Sequence, residues 1–285
     1  MSDASKVLAG KTAVVTGASR GIGRAIARRL ASAGAVTVIS ARSVGTSATG
    51  LEGTLQETAD LIRDAGGIAH LISCDVERAE SRANLIAETL RLTGRLDILV
   101  NNAGRAIHTG IENFTPDVQL SQIQQYFIAP YDLARLAVAH MKAQGAGAIV
   151  FLGSNTAFTP EGPPWNDYTT HGGAALYAAM KAAIHRLTIS LAAELQSSNI
   201  SVNAVGPVRA IMTPGLESMG IMDDSKKHLI EPPEHIGEAT LALVSGDPRT
   251  VTGKIAMSYK YLDEIGRSTW SLDGRTLVQE RMPKP

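Results

Sequence analysis

The segment Thr12–Gly23 reads TAVVTGASRGIG and decides the fold of the chain. Its start is an apolar, β-branched run typical of a buried strand, and its glycines predict a tight turn into a helix that runs to about Ala33. In such a turn, backbone N–H groups at a helix N-terminus can approach an anion such as a pyrophosphate. The spacing G-x3-G-x-G is neither G-x-G-x-x-G nor a P-loop, so by itself it also fits a plain turn.

Further apolar runs follow the first strand and alternate with helical patterns. Strands buried on both faces are continuously apolar, and strand–helix–strand units cross over right-handed. The pattern therefore predicts an α/β fold: a single Rossmann-type, doubly wound parallel sheet of about seven strands with helices on both faces. We expect one domain, residues 1–285, with substrate loops at about 155–175 and 206–230. The later predicted strands are Val36–Ser40, Ile68–Cys74, Leu96–Asn101, Ala148–Gly153, Ile200–Val205 and Lys254–Ser258.

The composition excludes several classes of protein. The 27 basic and 27 acidic residues cancel, which argues against a nucleic-acid-binding surface. The sequence has no long apolar run, and Met1–Lys11 lacks the features of a secretory signal, so we expect no membrane contact and a cytoplasmic location. The single cysteine, Cys74, lies in an apolar run, where we interpret it as a buried small hydrophobe rather than a nucleophile. We predict no metal ligands.

The end of the second strand predicts which dinucleotide the fold would bind. An acidic residue at this place accepts the ribose hydroxyls of NAD, whereas an arginine pairs with the extra phosphate of NADP. Here the strand ends Ser40-Ala41-Arg42, and Arg20 in the glycine turn supplies a second positive charge. We therefore expect NADP(H) in preference to NAD(H). The alternative is that both arginines are solvated surface residues.

Tyr177 and Lys181 lie four residues apart at the start of a predicted helix, Leu176–Gln196, and so share one face. A phenol has an ordinary pKa of about 10, and a neighbouring ammonium moves that pKa towards the neutral range. Such pairs are common on solvated helix faces; Tyr168, by contrast, is followed four residues later by Gly172. The pair predicts an acid/base site only in combination with other motifs.

In that combination, the sequence over roughly residues 9–258 resembles the short-chain dehydrogenase/reductase family. Each motif lies at a strand end or helix start, where this family places it. The motifs that carry the resemblance are TGASRGIG (Thr16–Gly23), Asp75-Val76, NNAG (Asn101–Gly104), Ser154, Tyr177 and Lys181.

The resemblance implies a site for hydride transfer. Tyr177 would be the catalytic acid/base, Lys181 would lower its pKa and hold the nicotinamide ribose, and Ser154 would hydrogen-bond the substrate oxygen. Asp75 also fits a turn residue, and the paired asparagines also fit a strand-end cap. The cofactor-binding residues expected from the motifs and the resemblance are Gly17, Ser19, Arg20, Gly21, Ile22, Gly23, Arg42, Asp75, Val76, Asn102, Ala103, Gly104, Tyr177, Lys181, Pro207 and Val208.

The segment between Ser154 and Tyr177 is longer than the family usually has. Its residues 160–173 are rich in turn formers and carry Trp165, Tyr168 and His171. We expect this insertion to form a lid or wall over the substrate; the alternative is a surface excursion without ligand contact. The candidate substrate residues are Trp165, Tyr168 and Met212.

Two more positions depart from the family. Aligning Ala129-Pro130-Tyr131 with the family's small-Pro-aromatic segment puts Tyr126 where many members have the asparagine of a proton relay. A shift of one residue puts Gln125 there instead. The family's Pro-Gly after the sixth strand reads Pro207-Val208, where backbone contacts to the nicotinamide amide need no particular side chain.

These observations predict an NADP(H)-dependent oxidoreductase that interconverts a ketone or aldehyde and an alcohol. The alternatives are a catalytically weak redox sensor of the same fold and a non-redox lyase or epimerase that keeps the cofactor. The resemblance also implies a homotetramer or homodimer joined through helices at about 115–144 and 176–196. An apolar segment favours a hydrophobic substrate, unless it packs as helix core: Met212, Leu216, Met219, Ile221 and Met222.

Overall fold

The apolar runs of the sequence form the strands of a parallel sheet. In the computed structural model, which describes residues 6–45, 50–218, 220 and 229–278, this sheet has seven strands. Every predicted strand is present, with small differences at its ends. The strands are Thr12–Thr16 (β1), Val36–Ala41 (β2), Ile68–Ser73 (β3), Ile98–Asn101 (β4), Gly147–Leu152 (β5), Ile200–Gly206 (β6) and Ile255–Met257 (β7).

The strand order β3-β2-β1-β4-β5-β6-β7 confirms the doubly wound Rossmann-type fold. The chain first builds outward from β1 to β3 and then returns to place β4 on the other side of β1. The order therefore reverses between β1 and β4, and the pairing of Val15 with Val100 brings the carboxyl ends of both strands to one edge. Open α/β sheets bind ligands in the crevice at such a reversal.

Helices cover both faces of the sheet. Among the described residues, no helix is long and apolar enough to cross a membrane. The helices are Gly21–Ser32 (α1), Leu55–Asp64 (α2), Ala79–Thr93 (α3), Pro116–Ile123 (α4), Ala129–Gln144 (α5), Asp167–His171 (α6), Ala175–Leu195 (α7), Pro214–Glu217 (α8), Pro233–Ser245 (α9) and Ser258–Glu264 (α10).

The core consists of two apolar layers, one on each face of the sheet. Along β1, Ala13 and Val15 belong to the layer that includes Ile26 of α1, whereas Val14 belongs to the layer that includes Leu133 of α5. Successive side chains of a strand point to opposite faces, so both faces need apolar residues. The continuous apolar run of β1 follows from this double burial.

The helix predicted over about residues 115–144 is not continuous. A π-helical segment, Gln124–Ile128, separates α4 from α5. Such a segment adds a residue to one turn and is found frequently at functional sites. Here it turns Tyr126 inward, where only 7% of the residue stays exposed.

Residues 266–278 pack back onto the fold. The buried carboxylate of Glu238 in α9 accepts hydrogen bonds from Arg29 Nε and Arg267 Nε, each at 2.7 Å. Leu272 is buried, and its side chain lies beside α9. The described part of the C-terminal tail is therefore an intramolecular cover over α1 and α9.

Candidate active site

The turn between β1 and α1 is built on glycines that exclude side chains. Gly17 and Gly21 have φ angles of 65° and 54°, in the left-handed region that glycine tolerates. A Cβ on Gly23 would collide with the carbonyl oxygen of Gly17 and the side-chain amide of Asn102. The turn is therefore a backbone cradle at the N-terminus of α1, which fits the pyrophosphate of a dinucleotide.

Hydrogen bonds fasten this cradle to the end of β4. The Asn102 side chain donates to the carbonyl oxygens of Thr16 at 2.7 Å and Gly17 at 3.1 Å. The Thr16 hydroxyl in turn accepts from the backbone N–H groups of Asn102 and Ala103. Asn102 thus joins β1 and β4, the two strands between which the sheet order reverses. These hydrogen bonds are those of a cap at the end of a strand, and cofactor contact by Asn102 stays a prediction.

Three arginines lie beside the glycine turn. Arg20 donates to the carbonyl oxygen of Gly53 at 2.7 Å, and burial, with the charges of Arg24 and Arg42, lowers its pKa. Arg24, which the sequence analysis did not single out, is held by an ion pair with Glu57 at 2.9 Å. Arg42 is exposed. Because the charges of Arg24 and Arg42 repel that of Arg20, a phosphate group beside these three side chains would be stabilised.

Asp75 and Val76 make local contacts after β3. Asp75 Oδ1 accepts from the backbone N–H of Glu77 at 3.1 Å, which is a turn-stabilising bond. The carbonyl oxygen of Val76 accepts from Arg82 at 2.7 Å. The hydrogen bond to Asp75 supports its interpretation as a turn residue. Contact of Asp75 or Val76 with the cofactor stays a prediction.

The Tyr177–Lys181 pair lies on the first turns of α7, facing the end of β5. Lys181 is 5% exposed, and its Nζ donates to the Leu152 carbonyl oxygen at 2.6 Å. The same Nζ lies 5.6 Å from the centre of the Tyr177 ring. Ser154 follows β5 and caps the short 3-10 helix Asn155–Ala157. Its hydroxyl hydrogen-bonds Tyr177, so the three predicted catalytic residues meet.

Burial controls the ionisation of this group. Burial lowers the pKa of Lys181 from 10.5 to about 7. Burial also raises the pKa of Tyr177, although the hydrogen bond from Ser154 lowers it in part. Burial thus dominates the ionisation of the phenol, and the lowering of its pKa by Lys181 stays a prediction.

Tyr126, and not Gln125, lies beside Tyr177 and Lys181. Its ring packs edge-on against Tyr177, with centroids 5.2 Å apart, and its face lies 4.7 Å from Lys181 Nζ. Gln125 instead donates to Glu77 at 2.8 Å, away from the pair. Of the two alignments that the sequence left open, the structure selects Tyr126.

The insertion reaches Tyr177 through His108, a residue that the sequence analysis missed. The His108 ring lies 5.6 Å from the Tyr177 ring and 6.4 Å from the Tyr168 ring. Gly173, at the end of the insertion, accepts a hydrogen bond from Thr109 N–H at 3.0 Å. Trp165 is half-exposed and lies over Gly162 of its own loop. The position of His108, four residues after NNAG, is the sequence signal that could have pointed to it.

The loop after β6 folds over the glycine cradle. A Cβ on Gly21 would lie only 2.9 Å from the methyl group of Thr213. Val208 and Arg209 donate their backbone N–H groups to the buried carboxylate of Glu231. The Val208 amide predicted for the nicotinamide is therefore engaged within the protein. Met212 is exposed on this loop, whereas Met219, Ile221 and Met222 lie outside the described residues.

Sequence and structure comparisons agree on a family. The sequence profile described as short chain dehydrogenase matches residues 11–219. The chain belongs to the short-chain dehydrogenase family. As a short-chain dehydrogenase it is an oxidoreductase that acts on CH–OH groups.

Three relatives of this short-chain dehydrogenase illustrate the likeness. A tropinone reductase homolog of Datura stramonium is 34% identical over 87% of this chain and 84% of its own length. The 7alpha-hydroxysteroid dehydrogenase of Clostridium sardiniense is 30% identical over 88% of this chain and 92% of its own. A crystal structure of a short chain dehydrogenase from Burkholderia cenocepacia J2315 in complex with NADP superposes with a TM-score of 0.75, at 30% identity, over 88% of this chain and 96% of that one.

The site residues predicted from the sequence fall into a central group around the crevice and a group of exposed side chains. Around the crevice the structure brings together the glycine turn, the end of β4 and the residues predicted to be catalytic, whereas Arg42, Trp165 and Met212 are exposed side chains. The central group is Gly17, Ser19, Arg20, Gly21, Ile22, Gly23, Asn102, Ala103, Gly104, Ser154, Tyr177 and Lys181.

The buried Lys181 makes stability depend on pH with a defined sign. Its folded pKa of about 7 lies below its unfolded value, so between about pH 7 and 10 the unfolded chain binds more protons. We expect the free energy of unfolding of the wild type, minus that of Lys181→Met, to rise across this interval, by at most about 1.4 kcal/mol per pH unit. Urea denaturation at several pH values measures this difference. A flat or falling difference would show that Lys181 is not a desolvated ammonium.

Proposed function

We propose that this chain is an NADP(H)-dependent oxidoreductase that interconverts a ketone or aldehyde and its alcohol by hydride transfer, on a hydrophobic small molecule. The observation that carries the proposal is the meeting of Ser154, Tyr177 and Lys181 beside the glycine cradle. A redox sensor would need the cradle but no acid/base pair. The intact pair therefore favours the enzyme over the sensor.

The ionisation of Tyr177 favours the role of proton donor. With its pKa raised by burial, the phenol stays protonated near neutrality and can donate to the oxygen of a carbonyl as negative charge develops there. The Ser154 hydroxyl, already bonded to Tyr177, would hydrogen-bond the same oxygen. Bound NADPH would supply the hydride. Carbonyl reduction is thus the direction that these residues support.

The arginines support NADP(H). Arg20 and Arg42 lie close enough for their charges to interact, and β2 ends without a carboxylate at Ser40-Ala41. A ribose phosphate placed between the arginines would relieve their repulsion and accept charge-assisted hydrogen bonds. The NADP complex of the Burkholderia cenocepacia relative is consistent with this choice.

Arg42→Ala should selectively weaken NADPH binding. Loss of one charge-assisted contact predicts an increase in the Kd for NADPH of about 10- to 100-fold, with little change for NADH. Fluorescence titration of purified protein with each dinucleotide measures both constants. Arg91→Ala is the matched control, because Arg91 is an exposed arginine on α3 paired with Glu88. Equal effects on NADPH and NADH, or none, would contradict the phosphate assignment.

Tyr177→Phe should abolish turnover and leave dinucleotide binding intact. Removal of a positioned proton donor predicts a fall in kcat of about 100- to 10,000-fold. NADPH consumption is followed with a panel of ketones and aldehydes, and Tyr131→Phe on the exposed surface of α5 is the control. Net consumption of NADPH also separates a reductase from a lyase or epimerase. A variant as active as the wild type would refute the assignment of Tyr177.

The insertion supports an apolar substrate. Tyr168, His108 and Tyr177 form a continuous aromatic surface, and burial lowers the pKa of His108, which keeps the imidazole neutral near pH 7. Trp165 and Met212 are half-exposed apolar side chains on the flanking loops. Uncharged aromatic walls with few polar groups suit a hydrophobic ligand.

Tyr168→Ala and Trp165→Ala should each raise KM. Loss of an aromatic contact worth about 1–2 kcal/mol corresponds to about a 5- to 30-fold increase in KM. Steady-state kinetics with the best substrate of the panel gives the values. His171→Ala, on the same short helix but paired with Asp167 at the surface, is the control and should behave as the wild type. If all three variants match the wild type, the insertion is a surface excursion.

A further inference from the structure

The carboxyl group of Glu231 is completely buried and only half satisfied. Glu231 lies two residues before α9 begins and is 0% exposed. Its Oε2 accepts the backbone N–H groups of Val208 at 3.2 Å and Arg209 at 3.0 Å, whereas its Oε1 has no partner among the described residues. A buried carboxyl oxygen without a hydrogen bond is costly, so a group of this kind calls for a functional explanation.

The two N–H groups belong to the loop after β6, residues 207–213 (the β6 loop). Ala210, in the middle of this loop, donates its N–H to the Leu229 carbonyl oxygen at 2.9 Å, and its own carbonyl oxygen accepts from the Glu231 N–H at 2.8 Å. At the end of the loop, Thr213 lies against Gly21 of the glycine cradle. The β6 loop is therefore attached to Glu231 at its start and reaches the cradle at its end.

Ser258 supplies a second acceptor for only one of the two N–H groups. Its hydroxyl, at the first residue of α10, shares the Val208 N–H at 3.1 Å. The Arg209 N–H, in contrast, donates to Glu231. Among the described side chains, Glu231 is thus the acceptor that takes both N–H groups at the start of the β6 loop.

We propose that Glu231 is a positioning residue, whose Oε2 holds the β6 loop beside the glycine cradle before a dinucleotide binds. The proposal rests on the proposed function, since it requires a dinucleotide in the cradle. A loop that must become ordered on binding weakens affinity, and a loop held in place beforehand avoids that loss. Because the cradle serves the part that both dinucleotides share, Glu231 should affect the binding of NADPH and NADH equally.

The protonated form of Glu231 suits this role best. Burial raises the pKa of Glu231, and its hydrogen bonds and the charge of Arg209 lower that pKa only in part. A proton on Oε1 removes the buried charge and leaves Oε2 free to accept both N–H groups. Once the loop opens and water reaches the carboxyl group, its pKa returns towards the ordinary value. The open state therefore binds the proton less tightly, and a rise in pH favours opening.

Other ionisable side chains lie on the elements that meet at Glu231. Arg209 is on the β6 loop, Glu234 and His235 are on α9, and Tyr259 is on α10, where its ring lies 5.8 Å from that of His235. A comparison of the wild type with Glu231→Gln keeps all four. The difference between these two proteins at each pH therefore isolates the ionisation of Glu231.

Two substitutions of Glu231 separate its hydrogen bonds from its shape. Glu231→Leu removes the acceptor, so hydrogen–deuterium exchange in a peptide that covers the β6 loop should accelerate about 10-fold, and the Kd for NADPH and for NADH should each rise about 5- to 30-fold. Glu231→Gln keeps an acceptor oxygen and mimics the neutral acid, so it should recover most of both losses. Mass spectrometry follows the exchange, and fluorescence titration measures the two Kd values.

The pH dependence of exchange distinguishes this role from simple packing. Between about pH 5 and 9, the exchange rate of the β6 loop in the wild type, divided by that in Glu231→Gln, should rise with pH, by at most about 10-fold per pH unit. The ratio cancels the intrinsic dependence of exchange on pH. Because this readout needs only the wild type and Glu231→Gln, it decides the proposal even if Glu231→Leu fails to fold.

Glu234→Gln is the matched control. It makes the same change of charge three residues further on, at a partly exposed side chain that forms no hydrogen bond with the described part of the β6 loop. Its exchange rates and Kd values should equal those of the wild type.

The outcomes separate this proposal from the proposed function. A wild type that binds neither dinucleotide refutes the proposed function, and the exchange readout, which needs no dinucleotide, still tests the hold on the loop. Faster exchange confined to the β6 loop in Glu231→Leu, equal losses for NADPH and NADH, and a ratio that rises with pH support the proposal. A β6 loop that exchanges as in the wild type, losses that differ between the dinucleotides, or a ratio that is flat or falls with pH overturns it.

Discussion

The hydrogen bonds between Thr16 and Asn102 are the constraint on which the site depends. They join the carboxyl end of β1 to that of β4, where the order of the sheet reverses. Gly23 packs so closely on Asn102 that a side chain at position 23 would collide with the Asn102 amide. Because α1 starts at this contact, the direction of its N–H groups is set by β4 as much as by β1. The cradle for a dinucleotide is therefore a property of two strands that are distant in the sequence.

Around the residues predicted to be catalytic, the main feature is the burial of the Lys181 ammonium away from water. The ammonium is enclosed by the Leu152 carbonyl oxygen and the Tyr126 ring, and its pKa falls to about 7 for that reason. The same enclosure raises the pKa of Tyr177. In the proposed reaction, Tyr177 is the proton donor, and the lysine beside it gains and loses its proton near neutrality.

The parts of the molecule that the sequence predicted well are those with a local signal. β1 was predicted residue for residue, because burial on both faces requires a continuous apolar run. The glycine turn was predicted because left-handed backbone angles at Gly17 and Gly21 restrict the residue type.

Other features depend on contacts that no local pattern encodes. The segment that forms α4 and α5 was predicted as one continuous helix, because a π-helical turn leaves the apolar periodicity almost unchanged. His108 and Glu231 escaped prediction because their partners, Tyr168 and the Val208 amide, come from separate loops. The effect of burial on the pKa of Tyr177 escaped prediction, because sequence spacing shows that Lys181 is near but not how deeply the phenol is buried.

The π-helical segment Gln124–Ile128 also restricts how this protein can change. Each residue of an α-helix advances the chain by about 100° around the axis, so one extra residue rotates α4 relative to α5 by that amount. In this orientation Gln122 and Gln125 hold the backbone of the loop at Arg105 and Ile107, while Tyr126 covers Lys181. Loss of a single residue here would uncouple the loop that carries His108 from the lysine. Variation in this helix is thus tolerated as substitution far more readily than as a change of length.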